Sequence, residues 1–183
     1  MRHLLILMIT PLFAVSRITA QTRYMDRAGK ASFFSKAPLE NIEAHNDQVL
    51  SLLDPAKGEV AVSMLMKGFQ FEKALMQEHF NEKYIESDKY PKATFKGKIK
   101  DMSKLDLTKD GNYTVEVVGE VTLHGETKPL ETKVNFTVKG ASVQANSTFR
   151  LRVDDFKISI PTLVVRNIAE EVEVKVSFNY QPS

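Results

Sequence analysis

The sequence predicts an all-β, antiparallel fold with a single helix. Two observations carry this. Most of the chain alternates apolar and polar side chains with period two, in runs separated by turn residues every 10 to 15 positions. One stretch alone switches to a period of 3.6. A third observation concerns the last run, EEVEVKVSFNY (170–180), the cleanest alternation in the chain. A half-buried strand at the chain end is well placed to pair with the first strand and close a barrel, which removes exposed edges. A two-sheet sandwich satisfies the same periodicity.

The elements follow in order. ASFFSKA (31–37) reads as a short strand and NIEAHNDQVLSLLD (41–54) as a longer one. Asp54-Pro55-Ala56-Lys57-Gly58 is a turn by composition, Pro presetting φ and Gly closing it. EVAVSMLMKGF (59–69) completes a hairpin, with Val60, Val62, Met64 and Met66 on one face. FEKALMQEHFNEKYI (71–85) is the helix, with Phe71, Leu75, Met76, Phe80 and Tyr84 as its apolar stripe. Glu72, Lys73, Glu78, Glu82 and Lys83 remain for water. Strands resume with KATFKGKIKDM (92–102), whose lysines form its wet face, and continue through 112–125, 126–140 and 142–156. In GEVTLHGETKPLETKVNF (119–136) two alternating arms flank a Gly-containing turn.

Residues 1–20 have the layout of a secretory signal peptide: Arg2, an apolar run from Leu4 to Val15, then small or polar residues up to Ala20. The run is about 12 residues, short of the roughly 20 that span a bilayer, and Thr10 and Pro11 interrupt it. The expected mature protein is one domain over residues 21–183, exported to the periplasm or secreted. The whole chain has 25 Lys+Arg against 23 Asp+Glu, and the leader holds Arg2 and Arg17 and no acid. The mature chain is therefore formally neutral, which argues against nucleic acid as a partner. There is no Cys, so neither a disulfide nor a cysteine nucleophile is available.

Motifs for chemistry are sparse. His45, His79 and His124 lie in three different elements, with none of the spacings that metal ligands require. His124 reads as a residue near a turn on the wet side of its strand. No GxSxG elbow and no Gly-rich phosphate loop occur. Asp154 and Asp155 are adjacent, so in a strand they would point to opposite faces; they read as a bend before Phe156. No catalytic residue, metal or cofactor is assigned, and the protein is not expected to be an enzyme. Asn112, Asn135 and Asn146 head Asn-x-Ser/Thr triplets, which matter only in a host that glycosylates them.

What remains is apolar surface on one side of the sheet. Phe33, Val60, Val62, Met64, Met66, Phe95, Val117, Val121, Phe136, Phe149, Val174 and Phe178 are the candidate inward-facing residues. They make either a filled core or a ligand cavity, since eight strands stand at the boundary between those outcomes. Gly97, Gly119 and Ala145 would leave room. Met64 and Met66 would supply adaptable lining.

Three ordered segments carry a resemblance. KYPKATFKGKI (89–99), GEVTLHGETKPLETKVNF (119–136) and FRLRVDDFKIS (149–159) resemble the YceI-like family, through Lys89-Tyr90-Pro91, Thr94-Phe95, Gly119, Thr122-Leu123, Gly125, Thr127-Lys128-Pro129 and Asp155-Phe156 with Ile158. The resemblance covers roughly residues 24 to 180. It implies an eight-stranded, antiparallel, lipocalin-like β-barrel with the helix packed beside it, in an exported bacterial protein. Some members hold a polyisoprenoid chain inside. The chain departs from the family pattern at Gln77, where an Asp is expected, and at Val153-Asp154-Asp155, so headgroup contacts are not carried over. The expected function is non-catalytic binding, transport or sequestration of an isoprenoid or similar amphiphilic lipid, with the twelve residues above as lining. Transient membrane contact and a homodimer are both compatible with it. Two alternatives stand: a protein-interaction or stress-related module with a solid barrel, and, further off, a hydrolase.

Overall fold

The computed structural model describes residues 22–36, 41–159 and 170–183. Eight long strands carry the fold: β1 (Tyr24–Ser35), β2 (Ile42–Asp54), β3 (Glu59–Leu65), β5 (Lys92–Ile99), β6 (Gly111–Leu123), β7 (Glu126–Lys139), β8 (Ser142–Arg152) and β9 (Glu171–Pro182). A two-residue strand, β4 (Gln70–Phe71), pairs with the start of β2. All pairings are antiparallel between neighbours in the order β1-β9-β8-β7-β6-β5-β3-β2. β1 pairs with both β9 and β2. The ring is therefore closed, and the fold is a barrel, not a sandwich.

β7 shows why the pattern folds this way. From Leu130 to Val138 every second residue is turned inward, while Glu131, Lys133, Asn135 and Thr137 are exposed. A one-residue slip would put the charged set inside, so the alternation fixes the register. His124 and Gly125 both have positive φ, 51° and 78°, and they make the tight turn that joins β6 to β7.

β1 begins seven residues earlier than the period-two run at 31–37 indicates, and residue 37 lies outside the described residues. The register against β2 shifts between Asp26 and Gly29 and again between Gly29 and Ala31. A bulge breaks the alternation that would have revealed the strand. The carboxylate of Asp26 accepts from the backbone N–H groups of Ala28 (2.9 Å) and Asn179 (2.6 Å), serving amides that the ladder leaves free there.

The helix is shorter than 71–85. α1 runs over Ala74–His79 and continues as a wider turn, Phe80–Tyr84, in which Ile85 N–H donates to the Phe80 carbonyl. Phe71 belongs to β4, and Gln77 Oε1 accepts from its backbone N–H at 3.4 Å. Leu75, assigned to the apolar stripe, is 61% exposed. With the helix starting at Ala74, Met76 and Phe80 face the barrel and Leu75 faces away.

Candidate functional site: a half-hollow barrel

The barrel has two storeys. At the end where β6 begins and β9 finishes, the inside is solid. Leu53, Val115, Val138 and Val143 are each at most 2% exposed. Met102, Leu105 and Leu107, from the connection between β5 and β6, pack beneath them. Tyr180 is buried here at 2% exposure, and its hydroxyl shares a 2.6 Å hydrogen bond with Oγ of Ser51. Burial pushes the Tyr180 phenol up to about 12.

Above this layer the barrel encloses a cavity of about 440 Å³. All twelve predicted residues stand on its wall: Phe33 from β1, Val60, Val62 and Met64 from β3, Met66 just beyond it, Phe95 from β5, Val117 and Val121 from β6, Phe136 from β7, Phe149 from β8, and Val174 and Phe178 from β9. Several of them, including Phe33, Val62, Phe95 and Val174, are only half-buried although they point inward. Their remaining accessible surface faces the lumen. A solid barrel expects no such continuous space.

The glycines behave differently from expectation. Gly97 and Gly119 are direct cross-strand partners, but neither lines the cavity. The Phe95 ring lies across both: a Cβ on Gly97 would stand 2.5 Å from that ring and one on Gly119 2.8 Å. The pair makes room for an aromatic side chain, not for a ligand. Ala145 does line the lumen.

Polar groups on the wall are few, and two of them pair with each other. Oγ1 of Thr132 and Oγ of Ser147 lie 2.9 Å apart, and Ser147 donates to the Lys133 carbonyl at 2.8 Å. Among the described residues no buried side-chain nitrogen or oxygen lacks a hydrogen-bond partner. The lining as a whole is overwhelmingly apolar, so the lumen offers an occupant mainly apolar contact.

α1 and the turn after it cover part of the other end, the mouth of the barrel. Met76, His79, Phe80, Tyr84 and Ile85 line the cavity. Four phenyl rings fasten this roof to the barrel. Phe80 stacks on Phe33 at 5.6 Å and meets Phe71 at 5.0 Å and Phe69 at 5.7 Å. Sequence periodicity marks Phe71 and Phe80, but Phe69 sits in the turn after β3 and carries no periodic signal.

The three motif segments converge beside this mouth. The rings of Tyr90 and His124 meet edge-on with centroids 4.5 Å apart. His124 Nδ1 donates to the carbonyl of Phe156 at 2.9 Å, and Nε2 lies 3.0 Å from Oε2 of Glu86. Nζ of Lys157 pairs with Oε1 of Glu126 at 2.6 Å, which holds the Glu126 carboxyl below and the Lys157 ammonium above their ordinary ranges. His124 is thus not on a wet strand face: its side chain is 10% exposed. The turn's positive φ swings it beneath Tyr90. Asp154–Phe156 forms a single 3-10 turn that places Phe156 inside. His45 is exposed on β2, 3.5 Å from Glu43. Among the described residues no group of three or more His, Asp or Glu is arranged to hold a metal ion.

Comparisons with known proteins agree with this architecture. A polyisoprenoid-binding domain from Saccharophagus degradans, implicated in plant cell wall breakdown, superposes with a TM-score of 0.75 at 15% identity, over 88% of this chain and 98% of that one. BcnA of Burkholderia cenocepacia gives 0.68 at 18% identity, over 82% and 95%. A YceI protein of Campylobacter jejuni gives 0.63 at 15% identity, over 81% and 88%. In sequence, a UPF0312 protein of Vibrio cholerae is 32% identical over 83 residues, which is 42% of this chain and only 40% of that relative's length. The family model described as the YceI-like domain matches residues 19–180. With nearly the whole sequence matched, the chain belongs to the YceI-like domain family.

Proposed function

We propose that this protein binds an isoprenoid or similar long-chain amphiphile inside its barrel, outside the cytoplasm, and carries or sequesters it without transforming it. The observation that carries the reading is the lumen of about 440 Å³, lined almost entirely by apolar side chains and partly covered by α1. Each methylene transferred from water into such a space contributes about 0.8 kcal/mol. The polyisoprenoid-binding domain of the same architecture supports the choice of ligand class. Export follows from the leader-like residues 1–20, which lie outside the described residues. Contact with a membrane would serve loading, because the ligand's alternative home is a bilayer.

The test is native mass spectrometry of the protein purified from its own cell envelope, followed by organic extraction. A discrete added mass that extracts as a prenyl or acyl lipid is expected. Val62→Arg, which puts a charge into the lumen at a half-buried position, should purify folded and empty. A folded wild-type protein that stays empty after incubation with an envelope lipid extract would overturn the proposal.

A further inference from the structure

We infer that the barrel wall is open along one seam, between the mouth-end parts of β7 and β8, and that an amphiphile slides its chain into the lumen sideways through this slit. The inference rests on the lipid-binding reading above and adds the path by which the chain crosses the wall.

The seam shows in the register. β7 is paired with β6 from Gly111↔Val138 to Leu123↔Glu126, and β8 with β9 from Val143↔Tyr180 to Arg152↔Glu171. Between β7 and β8 the ladder runs only from Lys139↔Ser142 to Val134↔Ser147. Beyond it, residues 126–133 and 148–152 stay extended but have no ladder partner across the seam. Two side chains fit this ending. Ser147 Oγ donates to the Lys133 carbonyl at 2.8 Å, taking the acceptor that the next rung would use. Backbone groups alternate sides along a strand, so the nitrogen of Pro129 also faces the seam, where the missing N–H costs no rung. β2 likewise outruns β3, but there β4 pairs with Ala44 and His45, and Asn46 Nδ2 donates to the Leu65 carbonyl at 2.9 Å. Among the described residues no strand fills the seam between β7 and β8 in this way.

Backbone donors and acceptors left over on both flanks require water, so the seam is wet and not sealed by packing. Directly inside it stand lumen residues: Leu130 and Thr132 of β7, Phe149 and Leu151 of β8, all half-buried. The lower end of the slit is the Val134–Ser147 rung. Its upper end is the 3-10 turn Asp154–Phe156, tied to the start of β7 by Lys157 and Glu126 and to the β6–β7 turn by His124. Residues 148–152 leave about 16 Å of strand between these ends, at ~3.3 Å per residue. This arrangement suits an amphiphile. Its chain enters the apolar lumen while its polar end stays at the flanks, among backbone N–H groups and the Thr132 hydroxyl. The polar end never crosses the lumen. Phe80 and its neighbours retain the chain once it is inside.

The experiment ties the slit shut. The chain has no Cys, so introduced thiols stand alone. Glu131→Cys with Arg150→Cys puts exposed thiols on opposite flanks of the slit, to be joined by a short bis-maleimide. The probe is farnesol with a dansyl label on its oxygen, delivered from phosphatidylcholine vesicles and followed by stopped-flow fluorescence. Cross-linking should slow uptake and release about tenfold, and protein loaded before cross-linking should keep its probe. Thr137→Cys with Gln144→Cys, direct partners in the zipped part, should change neither rate when joined in the same way. In hydrogen exchange, the amides of Glu131, Lys133 and Arg150 should exchange far faster than those of Asn135 and Asn146. Equal rates before and after cross-linking, or equal protection of the two sets of amides, overturns the slit while leaving lipid binding intact. If the wild-type protein takes up no probe at equilibrium, the lipid-binding reading fails and the slit with it.

Discussion

Nδ1 of His124 stands 2.9 Å from the carbonyl oxygen of Phe156, 32 residues further along the chain. With Tyr90 packed edge-on against the same imidazole, this contact ties the connection that leads into β5 to those that follow β6 and β8, in one brace at the barrel mouth. His124→Ala would leave the Phe156 carbonyl without this donor. Losing a partner of a largely buried polar group costs about 1–3 kcal/mol. The loss should be read as a lower urea midpoint with an unchanged slope. An unchanged midpoint would mean that the brace is ornamental.

Tyr180 predicts an alkaline limit to stability. Its phenol is pushed up to about 12 from an ordinary value of 10.0, first by burial and opposed by the Ser51 hydrogen bond. The folded state holds the proton more tightly than the unfolded state. Its contribution is therefore complete below pH 10 and is lost as pH rises from 10 to 12. The loss amounts to about 2–3 kcal/mol. Tyr180→Phe should cost about 1 kcal/mol at neutral pH through the lost hydrogen bond. The variant should also flatten the decline above pH 10, measured by urea unfolding at a series of pH values. An equally steep decline in the variant would assign the alkaline loss to other groups.

Gly119 has no space for a side chain. A Cβ there would lie 2.3 Å from the Lys96 carbonyl oxygen and 2.5 Å from the Gly97 Cα, both backbone atoms of β5. Gly119→Ala should therefore destabilise by about 1–3 kcal/mol, in the range of overpacking. Gly140→Ala meets no atom within 4 Å, but its φ of 58° still penalises the substitution. The two variants separate crowding from conformation: only Gly119→Ala should shift the Phe95 ring resonances in an NMR spectrum.

The roof predicts a link between stability and ligand release. Phe80 is 9% exposed and touches three other phenyl rings. Phe80→Ala should lower stability by about 3 kcal/mol and speed the release of a bound prenol in stopped-flow dilution. Leu75→Ala, on the exposed side of α1, should alter neither. Equal release rates for the two variants would mean that the ligand leaves by another route.

Much of this protein is legible without coordinates, because a sheet with one wet face writes its register into alternation. β7 and β9 were readable residue by residue, and all twelve candidate lining residues stand on the cavity wall. The signal failed where period two is interrupted. The bulge of β1 hid seven residues of strand, and the left-handed turn at His124 hid a largely covered imidazole in a segment that looks solvated. Closure was beyond periodicity, since it depends on β1 pairing with both β2 and β9. So was the division into a solid and a hollow storey. Val115 and Val117 are the same residue on the same face of one strand, yet only Val117 reaches the lumen. Alternation states which way a side chain points. What it meets there depends on partners such as Phe178 and Tyr180, brought from the far end of the chain, and only the packed barrel decides that.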